Sequence, residues 1–375
     1  MRKYIDLFVR IVVGGLFIFS GLIKLNDPIG TEIKLEEYFE VFTADFGSFF
    51  HFFIPFALEI GVVLIVLEVV LGVAVLINYQ MNLTTKVLLT LIVFFTFLTF
   101  YSAYFNKVTD CGCFGDAIKL TPWQSFYKDI VLVVFILHLF WHRKRFGPVL
   151  RTREGHAIIL GVTVLSFFLG IYAIRHLPFI DFRAYAIGKT IPEQMKLPPG
   201  AVRDSVVMTF IYKKEGKSIE LTMDQLGVVD STYEFVDRID KVVRVGDRPK
   251  ITDYAVTDVN GETVTQQTFE GAKLLIIVYN ARYASIRNIE KIRELANALD
   301  GKVDVWALTA SPEVEFDAFR HDHQLAVPFY FADATVLKTI VRSNPGLTLW
   351  KDGTVKGMWH HNDVPTTSEV LQLIQ

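Results

Sequence analysis

Cysteine is the scarcest chemically reactive residue in this sequence. Only two of its 375 residues are cysteines, Cys111 and Cys113, and one glycine separates them. An internal relay of electrons between disulfides needs a second cysteine pair, which this chain lacks. Any thiol chemistry must therefore pass directly between this one pair and another molecule.

Several functional motifs are also absent. The net charge is only −2, which argues against nucleic acid as a partner. There is no phosphate-binding glycine loop and no nucleophile-elbow spacing, so nucleotide-loop binding and serine hydrolase chemistry are not predicted. His321 and His323 flank Asp322, and His360 and His361 are adjacent, but a metal site needs three or four converging ligands. We therefore predict surface histidines and no metal site.

Apolar residues, in contrast, are abundant. They make up 51% of the chain, and phenylalanine alone occurs 32 times. They concentrate in the first 178 residues, where five stretches approach the roughly 20 residues that cross a bilayer. These stretches are Ile5–Leu25, Phe52–Ile77, Val87–Tyr104, Trp123–Trp141 and Ala157–Ile174. The sequence thus predicts a multi-pass membrane protein with five transmembrane helices.

The basic residues of the short loops predict the orientation. Arg2 and Lys3 precede the first span, and the loop between spans four and five carries Arg143, Lys144, Arg145, Arg151 and Arg153. Both groups lie on one side if the spans alternate, and basic loops mark the cytoplasm. The cysteine loop and everything after span five then face outward, where disulfides persist. We expect a bacterial inner-membrane protein with a cytoplasmic N-terminus and a periplasmic C-terminal domain.

The pattern after the fifth span changes to that of a water-soluble domain. Pro192, Pro198, Pro199 and Gly200 indicate a non-helical linker, and Val206–Tyr212 with Ser218–Thr222 reads as a hairpin. Residues 223–248 read as a connector. The predicted units are 1–145 (four-helix membrane domain), 146–178 (basic loop and fifth helix), 179–248 (linker and hairpin) and 249–375 (C-terminal domain).

Residues 249–375 alternate between strand and helix patterns. Lys273–Tyr279 and Val303–Thr309 are apolar runs of buried-strand length, and Ser285–Leu299 between them repeats apolar residues with helical spacing. Short helices are predicted over Glu313–His321 and Ala332–Val341, and a hairpin joins Leu347–Trp350 to Val355–Trp359 through Lys351-Asp352-Gly353. This order predicts an α/β sandwich around a mixed sheet.

The membrane half resembles the MauE/DoxX family of four-helix membrane proteins over about residues 5–142. The resemblance rests on Phe19–Pro28 (FSGLIKLNDP) at the end of the first helix and on Asp110–Gly115 (DCGCFG) before the fourth. It implies a role in thiol–disulfide chemistry; MauE is linked to maturation of a disulfide-rich methylamine dehydrogenase subunit. The added fifth span and long outward domain look like the longer DoxX-type proteins of Bacteroides-like bacteria.

The C-terminal domain resembles the thioredoxin/TlpA superfamily over about residues 251–375. Its best match is Asn344–Gly353 (NPGLTLWKDG), in which Pro345 stands at the place of the family's cis-proline. The family's reactive Cys-x-x-Cys should follow the strand Lys273–Tyr279, but Asn280–Ser285 reads NARYAS. The resemblance therefore implies a thioredoxin-like fold without redox chemistry of its own, and a binding or positioning role.

Cys111 and Cys113 are the predicted catalytic pair. A disulfide closing so small a ring removes little unfolded-chain entropy, roughly 1.5 kcal/mol, whereas strained and exposed disulfides tend to exchange. Thr121, Pro122 and Gln124 predict a capped helix start shortly after the pair, and a helix N-terminus favours a thiolate. The alternative is that both cysteines are small apolar residues in a tight glycine-rich turn.

Charges inside the membrane segments are costly and need a reason. Glu68 lies near the middle of span two, and Arg10 lies at a depth where it could pair with Glu68, either to fix helix register or to handle protons. Glu59 lies nearer the outer side. Lys24, Asp27, Asp110, Lys128 and Asp129 form a predicted charged group below the cysteine loop. This group either tunes thiolate formation or consists of side chains that extend to the interface.

Two functions from different classes follow. The first is thiol–disulfide exchange at Cys111 and Cys113 in the maturation of exported proteins, with an extracytoplasmic protein as partner. The second is a non-catalytic membrane scaffold whose cysteine-free domain binds an envelope partner. A transporter rests only on Glu68 and Arg10 and ranks last. Whether the chain is an enzyme stays open; no cofactor motif is evident, and a membrane quinone is compatible with the sequence but unsupported by any motif.

Overall fold

The computed structural model describes residues 2–108, 112, 114–202, 205–214, 216–244 and 246–375, without the side chains of 205–206 and 241–244. The predicted site residues Asp110, Cys111 and Cys113 lie outside the described residues.

Six long helices form the described part of the N-terminal half. They are α1 (Arg2–Asn26), α2 (Pro28–Phe46), α3 (Ala57–Leu76), α4 (Met81–Phe105), α5 (Pro122–His142) and α6 (Thr152–Arg175). Five segments of the described chain, all except α2, are long and apolar enough to cross a membrane. The prediction of five transmembrane helices is therefore confirmed.

The membrane helices pack in two close pairs, α1 with α3 and α4 with α5. Glycines permit the first pair: a Cβ on Gly14 would lie 2.9 Å from the carbonyl oxygen of Gly72, and one on Gly72 would lie 2.8 Å from that of Gly14. Such close backbone approach is typical of membrane helix interfaces. Val13, Leu88 and Ile136 form part of a shared buried core, and α6 packs outside this bundle against α3 and α1.

Helix α2 was not predicted, although its start follows a known rule. The Asp27 Oδ1 accepts a hydrogen bond from the Gly30 amide (3.0 Å), and Pro28 occupies the first helical turn. The helix is too polar to be a membrane span, since it carries Glu32 and Lys34 among other charges. It packs on α3 and on the phenylalanine-rich 3-10 helix Ser48–Phe56.

A small antiparallel sheet follows the membrane half. After the one-turn helix α7 (Ile191–Gln194) come β1 (Ser205–Lys214), β2 (Lys217–Thr222) and β3 (Glu234–Arg244), in the order β2-β1-β3. The predicted hairpin is confirmed. The prediction of a connector over residues 223–248 is wrong, because β3 lies within it and pairs with β1 over most of its length. The apolar residues of β3 do not alternate regularly, so the strand could not be recognised from its sequence.

The C-terminal domain is an α/β domain with a five-stranded mixed sheet. Its elements are β4 (Ala272–Val278), α8 (Ile289–Leu299), β5 (Asp304–Thr309), α9 (Glu313–Asp322), β6 (Phe329–Phe331), α10 (Ala334–Ile340), β7 (Gly346–Lys351), β8 (Thr354–His360) and α11 (Thr367–Leu373). The strand order is β6-β5-β4-β7-β8, with β4 to β6 parallel and β7 and β8 antiparallel to their neighbours.

Both faces of this sheet are buried. Leu274 and Ile276 point to the layer that contains α8, whereas Leu275 and Ile277 point to the opposite layer with Trp350. The predicted sandwich is confirmed and is consistent with a thioredoxin-like domain. The bond between Asn344 and Pro345 is cis, as predicted.

Three local predictions in this half need correction. Helix α8 begins at Ile289 and not at Ser285, and strand β6 was missed because it is only three residues long. Pro192 lies in the first turn of α7 and not in a non-helical linker. Ile191 packs in the core of the α/β domain together with Ile251.

Candidate functional site

The described residues around the cysteine pair define where its loop lies. Gly112, between the two cysteines, has a positive φ of 61°, a conformation that favours glycine. Phe114 is buried among the membrane helices. The loop ends at the predicted helix cap: Thr121 Oγ1 accepts from the Gln124 amide (3.3 Å), and Gln124 Oε1 accepts from the Thr121 amide (2.9 Å). The capping prediction is confirmed.

A mostly apolar cavity lies beside Gly112 inside the helix bundle. We call it the bundle cavity; its volume is about 100 Å³. Its apolar walls are contributed by all five helices from α1 to α5 together with the cysteine loop, and include Phe17, Leu35, Ile65, Ile92, Phe95, Phe114 and Leu132. Five charged side chains interrupt this apolar lining. Four of them form two ion pairs, and the fifth, Lys34, pairs with Glu37 on its own helix.

The first ion pair joins α1 to α3. Lys24 Nζ lies 2.6 Å from Glu68 Oε1, and Ser20 Oγ donates to Glu68 Oε2 at 3.0 Å. The Glu68 side chain is 3% exposed and that of Lys24 is 11% exposed. The Lys24 ammonium also lies 5.1 Å from the centre of the Phe95 ring. All four side chains line the bundle cavity.

The second ion pair lies within α5. Lys128 Nζ lies 2.7 Å from Asp129 Oδ1, and Thr99 Oγ1 of α4 donates to Asp129 Oδ2 at 3.0 Å. The Lys128 ammonium lies 5.3 Å from the centre of the Phe114 ring. Each buried carboxylate thus receives an ammonium and a hydroxyl, which offsets the cost of removing it from water.

The predicted pairing of Arg10 with Glu68 is wrong. Arg10 donates instead to the carbonyl oxygens of Val75 (3.3 Å) and Leu76 at the end of α3, where a cation complements the helix dipole. Glu68 precedes Val75 by seven residues, about 10 Å along a helix, and so lies at the depth of Lys24. Glu59 is exposed and lines neither this cavity nor the next one described.

A second, polar cavity lies on the other side of the cysteine loop. This interdomain cavity has a volume of about 210 Å³ and lies between the start of α2, the loop after Gly112, and α10. Asp27, Asp116, Lys119 and Arg342 are among its lining residues. Gly112 lines both cavities, so the loop that carries the cysteine pair separates an apolar site from a polar one.

The C-terminal domain docks beside this cavity through α10 and the residues after it. Arg342, 5% exposed, places Nε 3.0 Å from Asp27 Oδ2 and Nη2 3.4 Å from Asp116 Oδ2. Lys338 Nζ lies 2.8 Å from Glu36 Oε2. Asp116 follows Cys113 by three residues and Arg342 precedes the cis-proline by three, so one guanidinium joins the cysteine loop to the cis-proline segment.

Burial alters the acidity of α2 at this contact. The pKa of Glu32 rises to about 7, first because the carboxyl is buried and then because Glu36 lies near; Lys338 and Arg342 act in the opposite direction. The Glu32 carboxyl therefore exchanges its proton with solvent near neutral pH.

A second contact fixes the domain at the end of α6. Asn362 Nδ2 donates to the Arg175 carbonyl (2.8 Å), and His176 Nδ1 lies 2.8 Å from Asp363 Oδ1.

His360 is only 3% exposed, and burial, followed by the nearby His361, lowers its pKa to about 3. The prediction of a surface position is wrong for His360. No group of three metal-ligating side chains occurs within the described residues.

The thioredoxin position itself holds no thiol. Asn344 Nδ2 donates to the Asn280 carbonyl (2.7 Å), and the Ser285 amide donates to the Asn344 carbonyl (2.8 Å). The stretch that would carry Cys-x-x-Cys is thus hydrogen-bonded to the cis-proline segment.

Sequence reasoning missed several residues of this site. The hydroxyl partners Ser20 and Thr99 and the docking residues Glu36, Lys338 and Arg342 were not predicted. Only α2 had a usable signal, the Asp27-Pro28 pair that typically starts a helix.

Comparisons with known proteins agree with this architecture. Residues 2–142 match the family described as "Methylamine utilisation protein MauE", and residues 206–245 match a domain of unknown function. A curated relative, "Protein TlpB" of Flavobacterium psychrophilum, is 23% identical over 234 residues, which cover 60% of this chain and 60% of the relative. The chain thus aligns with less than two thirds of that relative's length. The predicted MauE-like membrane region is confirmed.

Proposed function

We propose, from a MauE-like membrane region joined to a thioredoxin-like α/β domain, that this chain exchanges disulfides with exported proteins through Cys111 and Cys113. The exchange takes place at the outer surface of a bacterial inner membrane. In each cycle the Cys111–Cys113 disulfide is broken by a partner thiolate, a mixed disulfide forms, and the partner's second thiolate releases the reduced pair. The partner gains one disulfide, and its two electrons and two protons remain on the cysteine pair.

The position of Gly112 carries this proposal. This residue is bonded to both cysteines and lines the bundle cavity and the interdomain cavity at once. A merely structural turn has no need of a cavity on either side. The polar cavity gives a water-soluble partner access to this loop, whereas the bundle cavity supplies the ammonium groups of Lys24 and Lys128, which favour a thiolate over a thiol.

The cysteine-free domain has a positioning role in this proposal. Its own redox position is occupied by Asn280–Ser285, and its segment before the cis-proline holds the cysteine loop through Arg342 and Asp116. The domain therefore forms one wall of the partner's entrance and keeps the loop in place while the sulfurs exchange.

Trapping of the mixed disulfide tests the proposal. In the full-length Cys113→Ala variant, the Cys111 thiolate attacks the disulfide of an oxidised partner, which is the reverse of this exchange, and because Cys113 is absent the mixed disulfide should accumulate as a reducible adduct. The Cys111→Ala/Cys113→Ala variant is the matched control. A thiol-alkylating mass tag applied to wild-type membranes before and after mild reduction should label the pair only after reduction. Equal labelling in both states over a range of redox poise contradicts the exchange function.

The second candidate function is a non-catalytic scaffold. It is favoured by the absence of cysteine from Asn280–Ser285, where a redox-active thioredoxin carries its Cys-x-x-Cys. In that case the Cys111→Ala/Cys113→Ala variant supports the maturation of exported disulfide proteins as well as the wild type does. We expect instead that this variant loses it, measured as the fraction of oxidised exported protein in cells.

A further inference from the structure

We propose that the membrane half carries an interfacial arm, which inserts into the bilayer leaflet on the side of the cysteine loop without crossing the bilayer. The arm consists of α2 and the phenylalanine-rich 3-10 helix Ser48–Phe56. Its partner is the boundary between the lipid headgroups and the acyl chains. This inference does not depend on the exchange function proposed above.

The first argument is the length of the second apolar stretch. Ser48–Leu76 is one of the five segments that are long and apolar enough to cross a membrane, but α3 alone has 20 residues. A helix of this length measures about 30 Å, which already equals the hydrocarbon thickness of a typical bilayer. The nine residues of Ser48–Phe56 are therefore not needed for the crossing and are free to lie along the membrane surface.

The second argument is the course of α2 across the bundle. A Cβ on Gly61, the fifth residue of α3, would lie 3.4 Å from Leu35 Cδ1. The ring centre of Phe42 lies 5.2 Å from that of Tyr101, the fifth residue from the end of α4. Each contact is thus about 6 Å along the helix from its end on this side of the bundle. Helix α2 therefore crosses α3 and α4 at one depth, parallel to the membrane plane.

The third argument is the exposure of the aromatic side chains along the arm. None of the residues Ser48–Phe56, all of which the structure describes, is buried. Phe49 and Phe52 are 70% and 64% exposed, whereas Phe50 and Phe53 contact aromatic rings of α2. Exposed phenylalanine side chains are unfavourable in water, so the edge that carries Phe49 and Phe52 requires an apolar environment.

Continuity with the lipid-facing surface of the spans identifies this environment. Phe56 leads directly into α3, whose Val63 is exposed in the middle of a membrane span. At the other end of the arm, Phe42 contacts the exposed Phe97 of the span α4. The apolar edge of the arm thus continues a surface that lipid already covers. A second copy of the chain or an apolar segment of another protein would first have to displace that lipid.

The charged side chains of the arm contact parts of the protein outside the spans. Glu36 is paired with Lys338 of the C-terminal domain, and Asp45 is paired with Lys107, just before the cysteine loop. An apolar edge combined with a polar one is typical of an element that lies in a membrane interface. The arm thereby holds the C-terminal domain and the start of the cysteine loop at a fixed height above the bilayer.

Spin labelling of the full-length protein in vesicles of phosphatidylethanolamine and phosphatidylglycerol is the first experiment. A nitroxide is attached to Phe52→Cys in the Cys111→Ser/Cys113→Ser background, and its collision rates with oxygen and with a water-soluble nickel chelate are measured. Oxygen partitions into lipid, whereas the chelate stays in water. The matched sites are Val93→Cys, exposed in the middle of α4, and Val314→Cys, exposed on α9.

The oxygen-to-nickel ratio at Phe52 should lie severalfold above that at Val314 and below that at Val93. A ratio equal to that at Val314 would place the segment in water and overturn the proposal. A ratio equal to that at Val93 would make the segment part of the membrane crossing and would also overturn it. Poor access of both reagents would show that protein covers the arm, which overturns the proposal in favour of a second copy or another protein.

Protease protection in the same vesicles is the second experiment and needs no label. Proteinase K is added, and cleavage within residues 46–56 is followed by mass spectrometry. The wild type should be protected there, whereas Phe49→Asp/Phe52→Asp should be cleaved about tenfold faster or more, because its arm leaves the lipid. Phe49→Leu/Phe52→Leu keeps the edge apolar and should stay protected, as should the control Val314→Asp.

Equal cleavage of the wild type and the aspartate variant would contradict the lipid contact. If the mixed disulfide is trapped but the arm is unprotected, only this inference fails. If the arm is protected but no mixed disulfide forms, the exchange function fails and the arm stands.

Discussion

At the residue scale, the site depends on charges that are buried in pairs. Glu68 is almost inaccessible and is satisfied by Lys24 and Ser20. Such a pair contributes little net stability while it is intact, but removal of one partner leaves a charge without compensation. The intact pair therefore fixes the relative position of α1 and α3 more than it stabilises the fold.

The Lys24→Met variant should lose about 3 to 5 kcal/mol of unfolding free energy, because the Glu68 carboxylate stays buried without its ammonium. Thermal unfolding of the detergent-solubilised protein measures the loss, and Lys24→Met/Glu68→Gln should recover most of it. The matched control is Arg238→Met, whose partner Asp240 is in water and which should change stability by less than about 1 kcal/mol. Equal losses for both single variants would contradict the burial argument.

His360 should make stability depend on pH. Its folded pKa of about 3 lies below the ordinary value of 6.5, so between these values the unfolded chain binds the extra proton. Stability should therefore fall as pH drops below 6.5, by up to about 1.4 kcal/mol per pH unit. Unfolding midpoints at pH 7 and pH 5 measure this, and His360→Gln should reduce the difference. The exposed His321→Gln is the control and should leave the difference unchanged.

At the element scale, α2 joins the two halves of the molecule. It is capped by Asp27, supplies Thr31, Lys34 and Tyr38 to the bundle cavity, and presents Glu36 to the C-terminal domain. Because it is not a membrane span, its polar face is free to contact α10. The helix that hydropathy alone does not detect is thus the element that places the C-terminal domain beside the cysteine loop.

Glu32 should make the stability of the fold depend on pH in the direction opposite to that of His360. Its folded pKa of about 7 lies above the ordinary 4.5, so in this window the folded state binds the extra proton and stability falls as pH rises from about 4.5 to 7. Glu32→Gln should flatten this fall, measured as the unfolding midpoint across that range. Glu37→Gln, on the same helix in a partly exposed pair with Lys34, should leave the profile as it is.

At the scale of the whole molecule, two domains meet at the cysteine loop. Arg342 contacts Asp27 and Asp116, which belong to different parts of the membrane half. The basic loop lies at the opposite end of the bundle, since α5 begins beside the cysteine loop and ends before Arg143. The cysteine loop and the C-terminal domain therefore lie on the same side of the membrane, and the basic loop lies on the other side.

The Arg342→Ala variant should loosen the docked domain, since Asp27 and Asp116 lose their shared partner. We expect faster limited proteolysis between residues 178 and 250 and faster alkylation of the reduced cysteines, each by about fivefold or more if roughly 1 kcal/mol of docking is lost. Arg320→Ala, on the far helix α9 with a surface partner, should match the wild type. Unchanged rates in Arg342→Ala would show that this contact does not hold the domain.

Orientation is tested by reporter fusions. The basic loop predicts that a fusion at Arg145 reports the cytoplasm and a fusion at Gly246 reports the outside. Alkaline phosphatase should thus be active only at Gly246, and a cytoplasmic fluorescent reporter only at Arg145. The same side for both positions would contradict five membrane crossings.

Local features of the sequence were sufficient for much of the fold. Five spans follow from run length and hydropathy, because a bilayer demands about 20 apolar residues in a row. The Thr121 cap and the order of strands and helices from β4 to β8, apart from the three-residue strand β6, also depend on neighbouring residues. Strand β3 and helix α2 were not predicted. The strand is specified by its pairing with β1, and the helix by contacts on both of its faces.

The sequence by itself determined the membrane-spanning half, the α/β half and the single cysteine pair, because hydropathy, periodicity and composition are properties of neighbouring residues. Only the tertiary structure decided which charges meet. Lys24 and Glu68 are 44 residues apart, and Arg342 and Asp27 are 315 apart. A buried charge takes whichever partner packing brings within hydrogen-bonding distance, so Glu68 pairs with Lys24 and not with Arg10, and the cysteine loop lies between its two cavities.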